Sequence, residues 1–67
     1  MTQTFSNYLD SVVGQDFNFW LNSPVLNGRY EVPGKILLSE DDYIVVLVDS
    51  NIKMYIKKNA ISALTYL

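Results

Sequence analysis

The stretch Asp41-Asp42-Tyr43-Ile44-Val45-Val46-Leu47-Val48-Asp49-Ser50-Asn51-Ile52-Lys53-Met54-Tyr55-Ile56-Lys57 decides how this chain folds. Tyr43 to Val48 is apolar at every position, as a central strand covered on both faces requires. Asp49-Ser50-Asn51 then turns the chain. Beyond it the pattern changes to alternation, with Ile52, Met54 and Ile56 facing in and Lys53, Tyr55 and Lys57 facing out. That is the period of a strand with one wet face.

Towards the C-terminus, Lys58 and Asn59 make a tight corner and Ala60 to Leu67 forms a last strand. Ile61, Ala63, Leu64, Tyr66 and Leu67 make it apolar on both faces, so an unpaired flank would be a sticky edge. Pairing with a neighbouring copy is head-to-tail, and repeated by rotation it closes a ring. The alternative is pairing within its own barrel only.

Towards the N-terminus, Ser39 to Asp42 is a polar turn. Before it, Tyr30, Val32, Ile36 and Leu38 share one face, with Gly34 between them. Pro33-Gly34 interrupts this run, because proline cannot donate to a ladder and glycine allows a sharp bend. The segment reads as one long bent strand, or as two short strands with a turn. Pro24 and Asn27-Gly28 mark a further turn. Phe17, Phe19 and Leu21 alternate with Asn18, Trp20 and Asn22, which marks the first strand. Phe5, Tyr8, Leu9, Val12 and Val13 recur at helical spacing, with Thr4 as N-cap and Gly14 as stop. The expectation is one domain over 1–67: a helix over about 4–13, covering an open end of the barrel, and strands over about 16–22, 29–38, 43–49, 52–58 and 60–66. Strands at this spacing predict a mostly β fold, a small five-stranded bent barrel that is closed or nearly so.

A chain of 67 residues buries only about 60% of its unfolded surface, so its core is marginal. There is no cysteine and no histidine, which removes disulfides and the usual zinc ligands together. Oligomerisation remains as the stabilising route, and a hydrophobic content of 49% agrees with a face turned to another subunit. The net charge of −2 and pI near 4.6 argue against general affinity for nucleic acid, leaving only a local site. The N-terminus lacks the basic and apolar regions of a signal peptide, and Tyr43 to Val48 is too short to cross a bilayer. A soluble, cytoplasmic protein is expected, with no membrane partner and no cofactor. Without histidine or cysteine the common nucleophile-base pairs are missing, and no glycine-rich phosphate loop is present, so the chain does not read as an enzyme. Glu40-Asp41-Asp42 reads as an acidic turn rather than a cation site.

The order of helix then five strands resembles Sm-like proteins, and several segments resemble their bacterial Hfq branch. Phe5-Ser6-Asn7-Tyr8-Leu9 is similar to the family's opening F-x-N-x-L, and Phe19-Trp20-Leu21-Asn22 to the start of its first motif. Val32-Pro33-Gly34-Lys35-Ile36 is similar to L-x-G-x-I, and Asp41 to Leu47 to D-x-F-V-I-L-L. Lys58-Asn59-Ala60-Ile61-Ser62 resembles the closing K-H-A-I-S. The likeness is tightest from Asp41 to Ser62. Departures are Asp10 and Ser11 in place of an arginine pair, a longer span from Leu21 to Gly34, and Gln3 one position out of step with Phe5.

The resemblance implies a ring of subunits whose inner rim holds single-stranded RNA. It gives Tyr43 the base-stacking role, and places Lys58 and Asn59 where the family has Lys-His, contacting base and phosphate. Lys57 stands beside them. A flat aromatic stacks any base and a lysine neutralises phosphate; Asn59 can hydrogen-bond a base edge but carries no charge. The structural readings are a core or interface tyrosine for Tyr43, packing for Trp20, and solvated lysines for Lys53, Lys57 and Lys58. The functional expectation is a homo-oligomeric ring, self-associated through the last strand, that binds single-stranded RNA or DNA as a chaperone or processing accessory. The alternative is a protein-binding ring or scaffold without nucleic-acid affinity.

Overall fold

A computed structural model describes residues 4–25, 28–49 and 51–67; Gln3, Asn27 and Ser50, on which parts of the sequence reading rest, lie outside them. A helix α1 (Phe5–Ser11) precedes strands β1 (Asp16–Val25), β2 (Arg29–Ser39), β3 (Tyr43–Val48) and β4 (Ile52–Lys57). A 3-10 turn (Lys58–Ala60) then leads into β5 (Ile61–Tyr66). Among the described residues no helix is long and apolar enough to cross a membrane.

The helix starts where Thr4 can cap it: the Thr4 hydroxyl accepts from the Asn7 backbone N–H at 3.1 Å, satisfying a donor that has no partner within the helix. It ends earlier than expected. Val12 donates to the Leu9 carbonyl at 3.3 Å and leaves helical geometry, so the stop precedes Gly14. Gly14 instead lies in the left-handed region at φ +95°, and its N–H donates to Ile36 at 2.7 Å. Only Leu9 and Val12 of the apolar stripe are buried, with Tyr8 partly so. Phe5 and Val13 are exposed, because two turns present too short a face to cover more.

The five strands form one antiparallel sheet in the order β4-β3-β2-β1-β5. Phe17, Phe19 and Leu21 of β1 meet Val32 and Ile36 of β2, Ile44, Val46 and Val48 of β3, Ile56 and Ile61 in one core with Leu9 and Val12. β2 is a single bent strand rather than two short ones. It bends against β3 at Gly34, where a Cβ would overlap the Val46 side chain and lie 2.8 Å from the Leu47 carbonyl oxygen.

Three expectations about the sheet are corrected. The sheet is bent but not closed: β4 and β5 follow one another through the 3-10 turn, yet β5 crosses to pair with β1, so they are opposite edges. The turn redirects the chain instead of folding it back as a hairpin. Second, Tyr30 and Leu38 do not share the buried face of Val32 and Ile36. A bulge between Ile36 and Leu38 shifts the register, leaving Leu38 exposed, and Tyr30 lies beyond the regular β1–β2 pairing that ends at Trp20–Glu31. Ile52, expected inside, is exposed at the end of β4.

Candidate functional site

Tyr43 opens β3, and its directly opposed partner on β4 is Lys57; two residues along, Val45 opposes Tyr55. Opposed residues of an antiparallel pair project to the same side, and diagonal neighbours come within reach of aromatic rings. The Tyr43 and Tyr55 rings accordingly lie 5.9 Å apart, tilted by 33°. With Asp42 and Lys57 they line a cleft of about 290 Å³. The cleft offers an aromatic surface, one cation and one carboxylate, the equipment for a flat, anionic or hydrogen-bonding ligand. Tyr55 was not among the residues singled out by sequence: its outward direction was readable, but its pairing with Tyr43 comes from the β3–β4 register.

Lys58 stands elsewhere. The 3-10 turn sends it under α1, where it is 7% exposed. Its Nζ donates to Ser6 Oγ at 2.7 Å, to Asp10 Oδ1 at 3.2 Å and to the Ser6 carbonyl at 3.4 Å. Asp10 Oδ1 also accepts from the Ser39 hydroxyl. The Ser39 bond first, and the Lys58 ammonium second, hold the Asp10 carboxyl below the usual carboxylate range. Lys58 is therefore not the solvated lysine that the sequence allowed. Asn59 is exposed beside it, with its backbone carbonyl accepting from Asn22 Nδ2 at 3.1 Å. The structure thus brings Tyr43 and Lys57 together and keeps Lys58 and Asn59 outside their cleft.

A second cavity of about 160 Å³ opens between the far end of β1 and β4, lined by Leu21, Val25, Met54, Tyr55, Ile56 and Ala60 among others. Tyr55 and Lys57 border both cavities. On a third surface the Tyr8 and Tyr66 hydroxyls meet at 2.9 Å beside Phe17, and that bond raises the Tyr8 phenol above its usual value. Glu40, Asp41 and Asp42 do not converge: among the described residues no group of three His, Cys, Asp or Glu could hold a metal ion. No protein-family model matches the chain, and no curated protein matches it significantly.

Proposed function

We propose that this protein is a homo-oligomeric Sm-like ring that binds single-stranded RNA or DNA, as a chaperone or accessory in nucleic-acid processing. The observation that carries the reading is the Tyr43–Tyr55 pair with Lys57 in one open cleft. It joins a stacking surface to a phosphate-neutralising cation. Tyr43 is also the residue that the family resemblance assigns to base stacking. Self-assembly is supported by the two edges of the open sheet, β4 and β5, which one copy can offer to the next head-to-tail. Repeating a weak site around a ring raises avidity without new contacts.

Labelled U-rich and A-rich oligonucleotides test the binding. The expected result is a salt-dependent affinity that drops in Tyr43→Ala; absence of binding at low salt would sink it. One observation favours the alternative of a protein-binding ring or scaffold. Lys58 spends its charge on Asp10, a residue that stands where the family has an arginine.

A further inference from the structure

The outward side chains of β3 and β4 form an ordered array. Ile44, Val46, Val48 and Ile56 are buried in the core, so Tyr43, Val45 and Leu47 lie on the opposite face, where Val45 is itself covered at 4% exposure. Their opposed partners on β4 are Lys57, Tyr55 and Lys53. Tyr55 therefore stands between two lysines on one face of an edge strand. On β2, Leu38 opposes Val45 and Lys35 opposes Leu47. Three of the five cations in the sequence thus share a face with two tyrosines, on a chain whose net charge is −2. Acids near this array include Asp42 in the Tyr43 cleft, Asp49 just past the end of β3, and Asp16, opposite Lys35 on β1. Asp42 shares the cleft with Lys57, and the cross-strand partners of Lys53 and Lys57 are Leu47 and Tyr43 rather than acids.

We infer that a single strand of nucleic acid runs along β4, with a base stacked on Tyr55 and backbone phosphates at Lys53 and Lys57. This rests on the nucleic-acid reading above and moves its centre away from the Lys58–Asn59 corner. At 5.9 Å the Tyr43 and Tyr55 rings are in contact with each other, so a base stacks on the outer side of Tyr55, which is 69% exposed. Lys53 and Lys57 are four residues apart on an extended strand, a reach of about 14 Å. Tyr43 backs the platform from the side.

The test is a salt titration of fluorescein-labelled short single-stranded RNA, followed by anisotropy. Binding free energy from phosphate neutralisation appears as a slope of about −0.7 in log K against log salt for each phosphate. Lys53→Ala and Lys57→Ala are each expected to flatten that slope by about 0.7, while Lys53→Arg keeps it. Tyr55→Ala is expected to weaken binding roughly 5- to 150-fold with the slope unchanged. The Lys53, Tyr55 and Lys57 side chains are exposed, so the variants are expected to keep the fold, which circular dichroism checks. If Tyr43→Ala abolishes binding while Lys53→Ala and Tyr55→Ala match the wild type, the β4 track is wrong and the Tyr43 site stands. If the wild type binds no RNA at low salt, both readings fall. Tighter binding of a polyglutamate peptide than of RNA, lost in Lys53→Ala, also overturns the inference in favour of an acidic protein partner.

Discussion

Lys58 carries a charge into a place that water barely reaches, beneath α1. Its ammonium is buried, and Ser6 and Asp10 supply its partners. Charge-assisted hydrogen bonds of this kind contribute about 1.5–3 kcal/mol. Lys58→Ala should therefore lower unfolding free energy by about 1–3 kcal/mol in urea denaturation, and loosen α1 without touching the Tyr43 cleft. Asp10 adds a pH signature. Its carboxyl is held below the value of the unfolded chain by Ser39 and Lys58, so the unfolded state binds its proton first on acidification. The stability it contributes is present above the unfolded carboxylate value of about 3.9 and is lost as pH falls through the lower folded value. In Asp10→Asn, acid unfolding curves should lose that part of their pH dependence. None of this was readable from the chain alone. Asp10 and Lys58 lie 48 positions apart, and neither periodicity nor spacing joins residues at that distance.

At the scale of elements, what could be read was whatever depends on period. The inward set Phe17, Phe19 and Leu21 follows from alternation and is buried, and the unbroken apolar run from Tyr43 to Val48 lies in the middle of the sheet with Ile44, Val45, Val46 and Val48 buried. What escaped was whatever breaks period. The bulge before Leu38 turns a nominally buried leucine outward, and a one-residue slip reverses every side chain beyond it. The tyrosine pair escaped for a related reason, since register between strands is not written within either strand. Gly34 was legible as a bend, but its cause is a close approach. A methyl group there overlaps Val46 and crowds the Leu47 carbonyl, and backbone cannot swing aside as a side chain can. Gly34→Ala should cost about 1–3 kcal/mol, the usual penalty of overpacking, measured as a lower urea midpoint at unchanged m-value.

For the whole molecule the deciding feature is the gap between β4 and β5. The expectation from the sequence was a barrel closed or nearly so, since strands at regular spacing commonly complete one. The 3-10 turn instead puts consecutive strands on opposite edges. An open sheet with complementary edges predicts a mass measurement with a definite form. Light scattering on a sizing column should give one assembly whose mass stays constant as concentration rises, since a closed ring has no free end. A monomer at micromolar concentration would refute the ring, and a mass that grows without limit would mean an open filament.

The clasp on Lys58 also orders events in time. Ser6 precedes its partner by 52 positions and Asp10 by 48, so α1 emerges from the ribosome long before Lys58 does. Closing so long a loop is entropically costly until the strands between are in place. The clasp of Lys58 on α1 is therefore expected to close late, after the sheet has formed. Lys58→Ala should accordingly leave the refolding rate near that of the wild type and speed unfolding, a φ-value near zero. During synthesis the apolar side of α1 waits uncovered until the strands that shield it have been made.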